Sequence, residues 1–238
     1  MPINPFQNSA EFDAYDRTYD DEINKALSFS GMKVDFFTRV KGDYLTDIIE
    51  KFCGPAADIE LLDVGCGIGL LHPIIGGRLR RLAGVDISSK CIEIARLRNT
   101  QVEYSTFDGT HLPHPDASFD VAIAVCVFHH VPPSARMALI LEIRRVLRNR
   151  GLFVMFEHNP QNALTMRVVD NCVFDKNAVL LNRRDAEELM IEGGFTNVRT
   201  RFILSIPAAG RILRRLDRLF SRSALGAQYY TLGLVDRN

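Results

Sequence analysis

"LLDVGCGIGL", residues 61–70, decides how the rest of the 238-residue chain is read. An apolar run ending in Asp63 and Val64 breaks into glycines at 65, 67 and 69. Glycine adopts backbone conformations closed to other residues and puts no side chain between the main chain and a ligand. A buried strand, a bare turn and the start of a helix are therefore expected in succession. The turn is expected to hold backbone N–H groups against a phosphate or another compact polar group. Its spacing is G-x-G-x-G with Leu70 next, not the G-x-G-x-x-G/A of dinucleotide-binding turns.

Outward from this turn, strand and helix patterns alternate. Strands are expected at 59–64, 81–86, 101–107, 119–127 and 151–157, with helices at about 68–80, 88–99 and from Pro132 to Arg148. The fourth strand, "FDVAIAVCV", has no polar alternation, as expected when both sheet faces are covered. Upstream, Phe36, Phe37, Val40, Tyr44, Leu45, Ile48, Ile49 and Phe52 recur at helical spacing over 32–52, and "CGP" at 53–55 stops the helix. Downstream follow a helix at 183–194, a strand at 196–204, a basic amphipathic helix at 208–222 and a last strand at 227–235. Such alternation predicts an α/β fold, a doubly wound Rossmann-like sheet with helices on both faces. Ligands of such sheets sit beyond the carboxyl ends of the strands, where strand order reverses.

Three acids fall on that rim. Asp63 precedes the glycines, Asp86 ends the second strand, and Asp108, before Gly109, ends the third. Asp86 lies about twenty residues beyond the turn, where a carboxylate can accept both hydroxyls of a ribose. Asp108 is placed to accept from an exocyclic amine.

At these residues the sequence resembles the class I S-adenosylmethionine-dependent methyltransferases of the small-molecule group. "LLDVGCGIG" is similar to their first motif and "VDIS" (85–88) to their second. "FDGTHLPHPDASFDVAIA" and "FHHV" (128–131), followed by "LEIRRVLRNRGLFVMFE", resemble the later stretches. The resemblance implies a seven-stranded, mostly parallel sheet whose last strand is inserted antiparallel. It also implies S-adenosyl-L-methionine as cofactor, S-adenosyl-L-homocysteine as product and a small-molecule acceptor, with lipid-, sugar- or phosphate-linked acceptors all open. The implied cofactor site comprises Lys41, Asp63, Gly65, Cys66, Gly67, Gly69, Asp86, Ile87, Asp108, Gly109, Cys126 and Val127. Arg39 is an alternative to Lys41 for the methionine carboxylate. His114 stands where an apolar or aromatic residue is more usual in the family.

Methyl transfer from a sulfonium is an in-line displacement, so alignment and exclusion of water are the main demands on the protein. A base is needed only where the nucleophile arrives protonated. His129, His130 and His158, on the carboxyl rim, are the candidates. Glu157 shares that rim, but no H-x-x-x-H pair occurs and no metal is expected. Residues 1–55 are expected to form a helical cap over the 56–238 domain, with Tyr15 and Tyr19 as lid candidates and 161–182 as an insertion over the acceptor pocket.

Composition narrows the alternatives. Formal net charge is zero, and no nucleic-acid module shows, so no nucleic-acid partner is expected. Five cysteines without C-x-x-C spacing, and no signal-peptide pattern, predict a reducing cytoplasm. No apolar run is long enough to span a bilayer, although the arginine-rich 208–222 helix can contact a membrane surface weakly. The competing readings are a nicotinamide-dependent oxidoreductase and a cofactor-binding protein without methyl transfer.

Overall fold

The computed structural model describes Lys25, residues 33–206 and residues 210–237. The expected polar arm at 1–10, the short helices at 11–29 and the lid tyrosines Tyr15 and Tyr19 lie outside the described residues. Seven strands form one sheet in the order β3-β2-β1-β4-β5-β7-β6. They are β1 (Glu60–Val64), β2 (Arg81–Asp86), β3 (Glu103–Thr106), β4 (Phe119–Val125), β5 (Leu147–His158), β6 (Phe195–Ile203) and β7 (Gln228–Val235). The helices are α1 (Val34–Phe52), α2 (His72–Ile75), α3 (Ser89–Arg98), α4 (Pro133–Val146), α5 (Ala163–Asn171), α6 (Arg183–Glu192) and α7 (Gly210–Asp217). β1 pairs in parallel with both β2 and β4, so strand order reverses beside it. β7 runs antiparallel between β5 and β6, as the resemblance implied.

The period of two along each strand divides the core into two layers. Leu61, Val121, Ile123, Leu152 and Val154 pack with Val40, Leu45 and Ile49 of α1 on one face. Leu62, Ala122, Ala124, Phe153 and Met155 pack with Leu139 and Ile143 of α4 on the other. Each large side chain buried in this way contributes about 1.5–3 kcal/mol. The centre of the sheet is thus packed on both faces, and the site hangs from its strand ends.

Three elements differ from the sequence expectation. The helix after the glycine turn is a single turn, His72–Ile75, followed by a 3-10 turn at Gly76–Arg78, because two consecutive glycines follow it. α4 stops at Val146, where Leu147 already pairs with Phe119; the register then shifts, and Arg150 takes φ +64°. The basic helix α7 ends at Asp217, before a 3-10 turn at Arg218–Phe220, rather than running to 222, and it meets α1 through charge. Arg214 reaches Asp43 at 2.6 Å and Asp47 at 2.9 Å on α1, and Arg218 pairs with Asp47. Asp217 is fully buried, accepting from the Tyr44 hydroxyl at 2.7 Å and from the Leu204, Ser205 and Ile206 amides. Ile212, Leu216 and Leu219 are left 76, 45 and 76% exposed. Paired charges rather than the apolar stripe decide which side of this helix faces the protein.

Candidate active site

A cavity of about 710 Å³ opens at the reversal point, within the range of about 300–1,000 Å³ usual for small-molecule and cofactor sites. Its floor is built from strand ends: Asp63 of β1, Asp86 of β2, Val125 of β4 with Cys126 beyond it, and His158 of β5. Gly65, Cys66, Gly67, Ile87 and Val127 also line it, as expected from the sequence, and Lys41 enters from α1.

The glycine turn does something other than expected. The amides of Gly65 and Cys66 donate to the Val85 carbonyl at 2.8 and 3.0 Å, that of Gly67 to Asp86 Oδ2 at 2.8 Å, and that of Gly69 to the Cys66 carbonyl at 3.0 Å. Four N–H groups that would cradle a phosphate are occupied within the protein. Glycine is still required. Gly65 has φ +75°, and a Cβ there would sit 2.6 Å from Val127 Cγ2. Gly69 is not a cavity residue: a Cβ on it would meet the Tyr104 hydroxyl at 2.5 Å. Its glycine serves packing behind the turn.

That packing contains a polar chain which the sequence did not suggest. His72 bridges Asp63, through Nε2 to Oδ2 at 3.0 Å, and the Tyr104 hydroxyl, through Nδ1. Asn99 Nδ2 donates to the same hydroxyl at 3.1 Å and to the Gly69 carbonyl at 3.2 Å. The chain fixes Asp63 from behind, while its second oxygen, Oδ1, is buried with no hydrogen-bond partner. An unpaired buried carboxylate oxygen is costly, and a cationic donor in the cavity would satisfy it.

Asp86 accepts one amide on each oxygen, Gly67 on Oδ2 and Ser88 on Oδ1 at 2.9 Å, which leaves lone pairs for a ligand. Burial, helped by the charge of Asp63, outweighs these amides and raises Asp86 to about 6. Asp108 is a correction. Its carboxylate is exposed and bent back on its own loop, accepting from Thr110 N, Thr110 Oγ1 and His111 N, and neither it nor Gly109 lines the cavity. Phe107, one residue earlier, does so instead. Arg39 is exposed on α1 and does not line the cavity, and His114 packs edge-on against Phe119 at 4.9 Å.

Lys41 Nζ lies 3.6 Å from Cys126 Sγ. Burial pushes the Cys126 thiol up, but Lys41 and His158 more than offset it and bring it down to about 7. Cys126 also sits at φ +59°, a left-handed conformation rare for a side-chain-bearing residue and frequent at functional sites.

The three candidate histidines differ sharply. His129 is 2% exposed; its Nδ1 is 2.5 Å from Glu157 Oε2 and its Nε2 is 3.4 Å from Asp175 Oδ1. Burial disfavours its charge, yet the Glu157 carboxylate wins and the ring is held protonated at neutral pH. Both nitrogens being engaged, it cannot take a substrate proton, which removes it as a base. His130, its Nε2 3.5 Å from Asp175 Oδ1, is driven down to about 3 by burial and by the charge of His129. His158 lines the cavity with its Nδ1 3.4 Å from Gln228 Nε2. Asp175, from the segment after α5, was not among the expected site residues. It brings His129, His130 and itself within 4.8 Å through one donor atom each.

The 161–182 segment supplies Leu164, Val168, Cys172 and Phe174 to the cavity opposite Phe36 and Phe37 of α1. Met166, Val169 and Val173 of the same segment do not line the cavity. The donor set fits a ligand with a cationic head, a ribose and an aromatic ring. The first would meet Asp63 Oδ1, the second Asp86 and the third the Ile87 and Phe107 side.

A family model described as "Methyltransferase domain" matches residues 62–155. A "Probable S-adenosylmethionine-dependent methyltransferase" of Mycobacterium tuberculosis is 29% identical over 169 residues, covering 71% of this chain and 59% of that protein. A demethylmenaquinone methyltransferase of Thermotoga maritima is 33% identical over 153 residues, covering 63% of this chain and 61% of that protein. The chain spans about three-fifths of the length of these relatives. Among solved structures, Haemonchus contortus phosphoethanolamine N-methyltransferase 2 in complex with S-adenosyl-L-methionine matches with a TM-score of 0.59 at 16% identity, over 82% of this chain and 53% of that one. A protein from Pyrococcus horikoshii matches with a TM-score of 0.61 at 20% identity, over 83 and 91%. At such identities the structural likeness is one of fold.

Proposed function

We propose that the chain, whose residues 62–155 match a methyltransferase domain, is a class I S-adenosylmethionine-dependent methyltransferase that transfers the methyl group of S-adenosyl-L-methionine to a small, carbon-rich acceptor. One observation carries the reading: Asp63 presents an orphaned, buried carboxylate oxygen beside a glycine turn in which the Gly65, Cys66, Gly67 and Gly69 amides are engaged within the protein. Such a site takes an ammonium group and refuses a pyrophosphate, which needs free N–H donors. This favours a methionine-bearing nucleoside over the nicotinamide dinucleotide alternative.

When bound, the cofactor supplies a methyl group on a positively charged sulfur. Asp63 Oδ1 would accept its ammonium, Lys41 would pair with its carboxylate, and Gly65 and Gly67 would let it approach the backbone. Asp86 would accept the ribose hydroxyls, and Ile87 and Phe107 would flank the adenine. Residues that orient both reactants in this way would supply up to about 7–11 kcal/mol. His158, on the cavity wall, is the proposed base for an acceptor that arrives protonated; such a base adds about 10²–10⁴-fold.

The acceptor side, between Phe36, Phe37, Leu164, Val168 and Phe174, is apolar and favours a hydrophobic acceptor over a sugar or phosphate. The exposed row Ile212, Leu216 and Leu219 supports a weak contact of α7 with a lipid surface, from which such an acceptor would be drawn. No helix among the described residues is long and apolar enough to cross a membrane. Calorimetry with S-adenosylmethionine, S-adenosylhomocysteine and NAD tests the cofactor. The first two are expected to bind, and to bind at least tenfold more weakly to Asp63→Asn. Binding of NAD alone refutes the reading. Mass-spectrometric screening of acceptors for the gain of one methyl group then identifies the product.

A further inference from the structure

We propose that His129, His130 and Asp175 form a binding site for a divalent first-row transition cation, zinc in the first instance, in the wall of the cavity. Two imidazoles and one carboxylate, converging with open positions on one side, are a recurrent ligand set for such ions. The donors come from separate parts of the chain: the loop after β4 supplies the histidines, and the turn after α5 the carboxylate. All three residues line the cavity, so an ion has an entry path and its remaining positions face the cavity.

The spacing supports coordination over hydrogen bonding. With zinc–ligand lengths of about 2.0–2.2 Å, donors at neighbouring corners of a tetrahedron stand about 3.3–3.5 Å apart. His129 Nε2 and His130 Nε2 lie 3.4 and 3.5 Å from Asp175 Oδ1, two edges of that length, and all three donor atoms lie within 4.8 Å of one another. Charge-assisted hydrogen bonds are shorter, about 2.7–2.9 Å. The contact on the other side of the same ring shows the contrast: His129 Nδ1 is 2.5 Å from Glu157 Oε2. Glu157 thereby fixes the ring so that Nε2 faces Asp175 and His130, which is how outer carboxylates orient metal-binding histidines. Glu157 is itself anchored by the Phe128 amide at 2.8 Å. Charge agrees with this assignment. Two carboxylates, Glu157 and Asp175, are buried here; in the ion-free protein they balance the protonated His129, and with a dication bound in place of the Nε2 proton they would balance the metal instead.

Three protein ligands leave a fourth position for water or an oxygen of the acceptor. Only this last step rests on the methyl-transfer reading, and it points to a hydroxyl-bearing acceptor.

The test uses the full chain, stripped with chelator and titrated with Zn²⁺ by calorimetry and with Co²⁺ by visible absorption. One equivalent of each is expected to bind, with Co²⁺ giving the intense bands of a four-coordinate site. Glu157→Gln is expected to weaken binding about 10–100-fold. His130→Ala and Asp175→Asn are expected to abolish the bands while melting as folded proteins. Should His130→Ala fail to fold, His130→Gln replaces it. No uptake by the wild-type chain overturns the proposal. So does uptake unchanged in the His130 and Asp175 variants, which would place the ion on the cysteines. Cofactor binding, measured separately, shows whether the methyl-transfer reading stands or falls on its own.

Discussion

Protonation of Asp86 makes the sharpest prediction about the cofactor site. Its carboxylate is raised to about 6 by burial and by Asp63, against the opposing Ser88, Gly67 and Ile87 amides. As the ribose acceptor it must be ionised. The apparent affinity for S-adenosylmethionine should therefore be nearly constant above pH 7 and fall about tenfold between pH 7 and pH 5, a loss of about 1.4 kcal/mol. Stability should respond in the opposite sense. An acid whose folded value lies above its unfolded 3.8 contributes most below 3.8, and that contribution disappears as pH rises through about 6. The interval corresponds to about 3 kcal/mol, all of it a cost of keeping the carboxylate ionised in the ligand-free protein at neutral pH. Asp86→Asn removes the titration. Its amide can accept from only one of the Gly67 and Ser88 N–H groups, so some of the recovered stability is spent on an orphaned donor.

Calorimetry at half-unit pH steps, with urea unfolding in the same buffers, separates these effects. Cys126, at about 7, titrates in the same window beside Lys41, and the Asn variant subtracts its contribution. On acidification from pH 7 to 5 the wild type should lose affinity and should gain stability relative to Asp86→Asn, the buried histidines titrating equally in both. The variant should bind about 10-fold or more weakly at pH 7 and show little slope in affinity. An affinity flat from pH 5 to 8, or an equal slope in Asp86→Asn, refutes the assignment.

Further predictions concern the scaffold and the surface. Gly65→Ala forces a left-handed alanine into Val127 and should cost about 2 kcal/mol or more in urea unfolding, with weaker cofactor binding. Tyr104→Phe leaves His72 and Asn99 short of a partner and should cost about 1–3 kcal/mol, with a folded, soluble product by circular dichroism. Asp217→Ala orphans the Tyr44 hydroxyl and three backbone amides and should cost at least about 3 kcal/mol, read as a lower melting temperature. Leu216→Ser combined with Leu219→Ser should leave stability within about 0.5 kcal/mol, both being exposed, and reduce sedimentation with anionic vesicles. Equal sedimentation of the double variant would remove the lipid-surface proposal.

What the sequence made legible followed from local constraints. β1, its glycine turn and Asp86 could be read because a positive φ, a strand end and a carboxylate each leave a mark at one position. His72 and Tyr104 left none. A histidine after a glycine turn and a tyrosine in a short strand are unremarkable until the fold sets them side by side against Asp63. Asp175 was hidden for the same reason, lying in a stretch without periodicity that the fold returns to the end of β4. The orientation of α7 depends on another element: Asp43 and Asp47 on α1 pair with Arg214 and Arg218 and leave the apolar stripe outward.

The glycine turn shows how far a motif can mislead about its own chemistry. From sequence, three alternate glycines after a strand suggest free amides facing a phosphate or another compact polar group. In the structure the neighbouring strand claims those amides: Val85 takes two of them, and Asp86 a third through its side chain. The electrostatic sign of the site is thereby reversed. What remains toward the cavity is acceptor-rich, with Asp63 Oδ1 unpaired at its centre. The same bend that in a dinucleotide fold would hold phosphate is here prepared for a positively charged group. Its use of Asp86 as an amide acceptor also explains why that carboxylate is both fixed in place and costly to ionise. Position and cost have one origin: the acid is pulled into the strand end to satisfy Gly67 and Ser88, and a ribose with two hydroxyls is the kind of ligand that makes use of the lone pairs left over.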